Sequence, residues 1–112
     1  MATSTTDMTE AEDKTAALLA TLWLKNRPIV DERLVLLDGA AAAAAAGSLA
    51  DAQRIEAQSA AHKLAGALGM YGYDEGTRIS RQIEVLLDEG APEPARLSAL
   101  VAELRAEVFP AG

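Results

Sequence analysis

A single histidine stands at the head of a run of regularly spaced glycines. His62 is the only histidine among 112 residues, and Gly66, Gly69 and Gly72 follow it at offsets of four, seven and ten. A neutral imidazole is an available nucleophile near pH 7. Glycine in a helix interior costs about 0.5–1 kcal/mol relative to alanine. Because the surrounding sequence is typical of a helix, the glycines indicate that another molecule must reach the imidazole.

Two of the glycines share the helical face of the histidine. At about 100° per residue, Gly66 and Gly69 fall roughly 40° and 20° to either side of His62. The predicted buried stripe lies about 200–260° away and consists of Ala57, Ala61, Leu64 and Leu68. His62 is therefore expected to point away from the core. Its predicted surface neighbours are Gln58, Ser59, Lys63 and Ala65.

A lone histidine also has more ordinary interpretations. Many histidines lie at the boundary of a core without chemical function. One histidine cannot hold zinc alone, and the chain has no cysteine and no HExxH or paired-histidine spacing. A hydrolase triad lacks the GxSxG turn and its strand, and the glycines lack the strand and GK[S/T] ending of a phosphate-binding loop. The glycines on the histidine face favour a reactive residue over a structural one.

Composition indicates one soluble helical domain. Half of the residues are apolar and 4% are aromatic, a balance that favours packed helices over a sheet. The net charge of −7 disfavours binding to nucleic acid or to an anionic membrane. No apolar run reaches the roughly 18 residues of a membrane span, and the N-terminus lacks the features of a signal peptide. We expect a cytoplasmic protein with a flexible N-terminus at residues 1–7 and a folded domain at residues 8–112.

Two helices are predicted in the first part of the chain. Thr9 and Glu12 have the spacing of a capping box, which predicts the start of the first helix. Pro28 is expected to end it, because proline lacks the backbone N–H that a helix interior needs. Proline suits a first helical turn, so a second helix is predicted from Pro28 through the alanines at 40–46 to a stop at Gly47.

Three more helices are predicted in the remainder. Ser48 and Asp51 resemble a capping box at the start of a third helix that runs to about residue 70. A fourth is predicted from about residue 74 to 90, and the last from the prolines at 92 and 94 to Pro110. Short connections make consecutive helices antiparallel. The predicted fold is all-α, an antiparallel up-down four-helix bundle with an additional N-terminal helix.

The histidine motif resembles that of a known family. The run His62-Lys63-Leu64-Ala65-Gly66, followed by Gly69 and Gly72, resembles the histidine-containing phosphotransfer (HPt) domain of two-component phosphorelays. The apolar pattern around Ile79 and Ile83 and the predicted helical layout extend the resemblance over most of the chain. It implies that His62 accepts a phosphoryl group and that Gly66 leaves room for a partner. It also implies that Gly69 is a small position and that Gly72 closes the motif helix.

The resemblance implies a second functional residue and reveals one departure. The family often has a Gln or Glu, 22 residues after the histidine, that hydrogen-bonds the imidazole, and here that position is Glu84. Pairing of Glu84 with Arg81, or a solvated charge, is the alternative. Many members have a lysine three residues after the histidine, whereas this chain has Ala65. Whether Lys63, Arg78 or Arg81 compensates is left open.

The resemblance further implies a phosphocarrier rather than an enzyme. Its partners would be a response-regulator receiver domain, a hybrid histidine kinase, or both. The predicted partner-binding residues are Gln58, Ser59, Lys63, Ala65, Gly66, Gly69, Arg78 and Arg81. No cofactor or metal ligand is assigned to this chain, and Mg²⁺ is expected on the receiver. We expect a monomer; the alternative is an HPt-like interaction module that binds a receiver or kinase without being phosphorylated, and a purely structural or dimerising bundle is a third interpretation.

Overall fold

The computed structural model describes the backbone of residues 2–110 and the side chains of residues 11–110. Within that range the chain forms four helices and no strand: α1 (Ala2–Ala45), α2 (Asp51–Met70), α3 (Asp74–Asp88) and α4 (Pro94–Val108). Each helix packs against its neighbour in sequence, and α4 packs back against α1. The predicted all-α class is confirmed, and the four helices form a closed ring around one core.

α1 continues through the proline that the sequence predicts as a helix end. It has 44 residues with Pro28 in its interior, so the predicted break is wrong and the two N-terminal helices are one. The fixed φ of proline is compatible with helix geometry, and its cost is one missing backbone hydrogen bond and a clash of its ring with a carbonyl of the preceding turn. The backbone is already helical at Thr9, so the predicted start is also wrong. The flexible N-terminus at residues 1–7 stays a prediction; Met1 and the side chains of residues 2–10 lie outside the described range.

An aromatic cluster supports α1 just before the proline. The Trp23 ring lies 5.3 Å from that of Tyr71, 5.0 Å from Tyr73 and 6.1 Å from Phe109, between ring centroids. Asn26 Nδ2 donates a hydrogen bond to Tyr71 Oη at 2.8 Å. These contacts fix the helix against the ends of α2 and α4 close to Pro28, and favourable aromatic packing of this kind offsets the lost backbone bond.

Glycines end the first two helices as the sequence predicts. Gly47 and Gly72 have φ of +70° and +83°, a conformation that glycine adopts at little cost. The predicted capping box of α2 is wrong, however. The residue before α2 is Ala50, without a side-chain cap, and Ser48 Oγ donates back to Ala43 O at 3.4 Å. Ser48 therefore completes the end of α1 instead of starting α2.

The core consists of aliphatic side chains and many small ones. The predicted buried stripe of α2 is confirmed, and Ala60 extends it. On α3 the facing buried residues are Gly76, Ile79, Ser80, Ile83 and Leu87. Small residues at a helix contact let two backbones approach closely. A Cβ placed at Gly76 would lie 3.1 Å from Leu68 Cδ1, so α2 and α3 are in close contact there.

Ser80, one helical turn after Gly76 on α3, is buried, and its hydroxyl has no hydrogen-bond partner among the described residues. Because an unpaired buried hydroxyl costs about 1–3 kcal/mol, we expect Ser80→Ala to raise the free energy of unfolding by about 1 kcal/mol. Urea denaturation measures this change. Ser59→Ala, on the exposed side of α2, is the control and should shift stability by less than about 0.5 kcal/mol. A destabilised Ser80→Ala variant would contradict the assignment.

Candidate functional site

His62 lies in the middle of α2 on its solvent side. Its side chain is 75% exposed, while Ala61 and Leu64 beside it are buried. The predicted orientation away from the core is therefore confirmed. An exposed imidazole on a helix that is anchored along its opposite side is accessible to another macromolecule and has a fixed position.

Glu84 on α3 holds one nitrogen of the imidazole. His62 Nδ1 lies 2.9 Å from Glu84 Oε1, and the glutamate side chain is half-buried. The carboxylate therefore bonds to the neighbouring helix, not to Arg81 on its own. An ionised carboxylate can only accept hydrogen bonds, and we therefore assign the proton of the neutral ring to Nδ1. The lone pair of the other nitrogen, Nε2, is then free.

Two polar contacts hold α2 and α3 together on the N-terminal side of His62. Arg54 Nη1 donates to the backbone carbonyl of Leu87 at 2.8 Å. Gln58 Nε2 donates to Asp88 Oδ1 at 2.9 Å. Gln58 lies one helical turn before His62 and Arg54 two turns before it. The two contacts and the histidine–glutamate bond therefore lie at successive turns of α2, along the same pair of helices.

A third contact holds the pair on the C-terminal side. Thr77 Oγ1 donates to the backbone carbonyl of Ala65 at 2.9 Å. A Cβ added at Gly69 would lie 3.3 Å from the same hydroxyl, which is tighter than an ordinary contact. Gly69 therefore has a role in the packing of α2 against Thr77. Hydrogen bonds between α2 and α3 therefore lie on both sides of His62 and Glu84 and fix the spacing of the two helices.

An open groove of about 410 Å³ adjoins the imidazole. Ala65 is buried, so its predicted surface position is wrong; it forms part of the floor of the groove, and the exposed Gly66 lies on its wall. A Cβ placed at Gly66 would meet nothing within 4 Å. No packing contact of the fold requires glycine there, and the absent side chain leaves space beside the histidine. The lining residues are His62, Ala65, Gly66, Arg81, Glu84 and Val85.

A family model described as the Hpt domain matches residues 29–108. The chain belongs to the Hpt domain family. Hpt domains carry phosphoryl groups on histidine in two-component phosphorelays and interact with receiver domains and kinases. The resemblance drawn from the histidine motif is thus confirmed. Comparisons with curated proteins and with solved structures gave no significant match.

The match places the Hpt domain on the bundle itself. It begins at Ile29, directly after Pro28, and ends at Val108, the last residue of α4. Residues 2–28 of α1 precede it. Among the described side chains, no group of three or more His, Cys, Asp or Glu residues is arranged to hold a metal ion. No helix in the described part of the chain is long and apolar enough to cross a membrane.

The structure brings together some of the sequence-predicted site residues of the Hpt domain and separates others. Ser59 and Lys63 are exposed on α2 but do not line the histidine groove. Gln58 is engaged with Asp88. Arg78 lies on α3 outside the groove, and its Nε donates to Glu75 Oε1 at 2.8 Å. This hydrogen bond lowers the pKa of Glu75 and raises the pKa of Arg78.

Sequence reasoning missed two apolar residues near the histidine. Val85 lines the groove and is largely exposed. Ile55 is also exposed and lies seven residues before His62, which puts it on the same helical face at about 20°. Large apolar side chains outside the buried stripes of α2 and α3 were the available signal. Val85 therefore adds an exposed apolar side chain to the groove, and Ile55 adds one about two turns before His62 on the same face of α2.

The histidine–glutamate bond predicts the tautomer of the ring. Because His62 is the only histidine, its ring nitrogens can be read in a ¹⁵N NMR spectrum without ambiguity. We expect the neutral ring to carry its proton on Nδ1, and Glu84→Ala to abolish that preference. Glu89→Ala removes an exposed carboxylate from the end of the same helix and should leave the spectrum unchanged. A wild-type ring protonated on Nε2 would refute the assigned bond.

Proposed function

We propose that this chain is a phosphorelay intermediate that accepts a phosphoryl group on His62 and passes it on. The donor is a receiver-domain aspartate or a kinase, and the acceptor is another receiver aspartate. The observation that carries the proposal is the 2.9 Å contact between His62 Nδ1 and Glu84 Oε1 on an exposed ring. Membership of the Hpt family indicates the class of reaction. The contact supports His62 as the nucleophile, because it leaves the lone pair of Nε2 free.

The transfer step follows from the position of the ring proton. The Nε2 lone pair attacks phosphorus, and an N–P bond forms. The P–O bond to the aspartate breaks, and the aspartate carboxylate leaves with the electron pair of that bond. The proton on Nδ1 stays in its hydrogen bond to Glu84. The reverse sequence transfers the phosphoryl group to the next aspartate.

Glu84 has two roles in this step. Before attack it holds the tautomer whose lone pair is on the solvent side. During attack the ring gains positive charge, and the carboxylate at Nδ1 stabilises that charge. An interaction that strengthens as charge develops accelerates the step in both directions. The side chain is a positioning and electrostatic group and does not contact the phosphoryl group.

The docking surface surrounds the imidazole. Its centre is the open space at Gly66, with Val85 and Ile55 as exposed apolar contacts. The proposed partner-binding residues are Gln58, Ser59, Lys63, Ala65, Gly66, Gly69, Arg78 and Arg81. An apolar centre with charged residues at the edge is typical of protein–protein interfaces. A receiver domain that presents its active-site face to this surface would bring its aspartate to Nε2.

The remaining chemistry belongs to the partner in this proposal. Phosphoryl transfer depends on positioning and on neutralisation of charge, and the Mg²⁺ that assists it is assigned to the receiver. The chain itself uses no cofactor and acts as a phosphocarrier. We further propose that it works as a cytoplasmic monomer and binds neither nucleic acid nor membrane, consistent with its net charge of −7.

Replacement of the histidine tests the proposal directly. Incubation with a receiver phosphorylated on its aspartate should transfer label to the wild-type chain in an acid-labile, base-stable form. His62→Gln should abolish this transfer, because the amide has no nucleophilic ring nitrogen, while thermal unfolding shows the fold to be intact. Label that persists in His62→Gln would contradict the proposal. Receiver binding that is equal in both proteins, with no label in either, would favour the unphosphorylated interaction module.

Gly66 tests the access that the groove provides. Gly66→Gln should slow transfer from a phosphorylated receiver by at least about tenfold, because a small displacement of the reacting groups is costly. Gly66→Ala should transfer normally and be more stable by about 0.5–1 kcal/mol, since its Cβ meets nothing within 4 Å. Ala52→Gln adds a glutamine at an exposed position near the start of α2 and serves as the control. Normal transfer by Gly66→Gln would remove the access argument.

A further inference from the structure

The proposed phosphoryl acceptor stands in an unfavourable electrostatic environment. The group to be transferred carries negative charge, and it must approach a ring that is bonded to the Glu84 carboxylate. The chain as a whole has a net charge of −7. Ala65, on the floor of the groove, supplies no charge. Charge neutralisation in phosphoryl transfer therefore requires a cation from elsewhere in the groove.

Arg81 is the one cation among the residues that line the groove. It lies on α3, three residues before Glu84 and four before Val85, so the three side chains share a helical face. Lys63 follows His62 directly and is therefore turned about 100° around α2 from it, outside the lining. Arg81 therefore lies in the histidine groove, whereas Lys63 lies outside it.

The charge of Arg81 is available. Its side chain is exposed, and it forms no salt bridge with any carboxylate among the described side chains. Glu84, its nearest candidate on the same helix, is bonded to His62 instead. Arg78, by contrast, bonds Glu75 and lies 3.8 Å from Glu103. Arg78 is therefore paired with carboxylates, whereas Arg81 is not paired with any carboxylate among the described side chains.

We propose that Arg81 binds the phosphoryl oxygens at His62 and supplies the positive charge that position 65 lacks. This inference rests on the proposed phosphorylation of His62. A guanidinium offers two parallel N–H donors that match the oxygens of a phosphoryl group. Glu84 and Arg81 then have complementary electrostatic roles on one face of α3. The carboxylate stabilises the positive ring, and the guanidinium stabilises the negative phosphoryl group.

A small phosphoryl donor separates this role from partner docking. Phosphoramidate can transfer its phosphoryl group to the exposed imidazole with release of ammonia, and ³¹P NMR follows the phosphohistidine signal. We expect Arg81→Gln to lower the rate by about tenfold and Arg81→Lys to recover part of it. The effect should weaken as salt rises, because added ions screen the charge.

Arg96→Gln is the matched control. Arg96 is exposed and lines the neighbouring groove between α3 and α4, but not the histidine groove. Its loss changes the net charge equally and should leave the rate within about twofold of wild type. A wild-type rate in Arg81→Gln, or an equal loss in Arg96→Gln, would overturn the assignment.

The two proposals fail in different ways. If a phosphorylated receiver never labels His62, the phosphorelay function is wrong, and the phosphoramidate rates still test Arg81. If the receiver labels His62 in the wild type and phosphoramidate labels wild type and Arg81→Gln equally, only the role of Arg81 is wrong.

Discussion

The close packing of α2 against α3 is the constraint on which the site depends. Small residues permit it: a Cβ at Gly76 would lie 3.1 Å from Leu68, and one at Gly69 would lie 3.3 Å from Thr77. Ser80, one helical turn after Gly76, is also fully buried. At this separation Glu84 Oε1 lies 2.9 Å from His62 Nδ1. The small side chains bury little apolar area, but they let α3 approach α2 closely enough to position the carboxylate.

Polar contacts convert this packing into a fixed register. Arg54 and Gln58 bond to the end of α3 on one side of the histidine, and Thr77 bonds to α2 on the other. A slip of either helix along the other would break all of them together with the histidine–glutamate bond. The imidazole therefore keeps its tautomer and orientation without being buried. A nucleophile for another protein needs this combination of exposure and rigidity.

Much of the site could be predicted from the sequence because its information is local. Helical periodicity placed His62 opposite the buried stripe and beside Gly66, and the family resemblance indicated Glu84 as its partner. The choice among basic residues could not be made in this way. Arg78 and Arg81 lie three apart on the same helix, and they differ in their neighbouring carboxylates and in whether they line the histidine groove. Those positions depend on side-chain packing that spacing does not encode.

The errors in the fold prediction have a common physical cause. The local preferences of Pro28 and Ser48 predict a helix end and a helix cap. In the structure, the contacts of Trp23 and Asn26 outweigh the proline, and Ser48 bonds to the preceding helix. Tertiary contacts decided both, whereas Gly47 and Gly72 act through backbone geometry alone and were predicted correctly.

The most direct test of the account is the position of the phosphoryl group on the ring. If Glu84 holds the proton on Nδ1, phosphorylation by a phosphorylated receiver must occur on Nε2. Two-dimensional NMR of the ¹⁵N-labelled phosphoprotein distinguishes the two nitrogens by their coupling to phosphorus, and one histidine leaves no ambiguity. We expect a phosphoryl group on Nε2 with the proton retained on Nδ1. Phosphorylation of Nδ1, or no phosphohistidine at all, would contradict it.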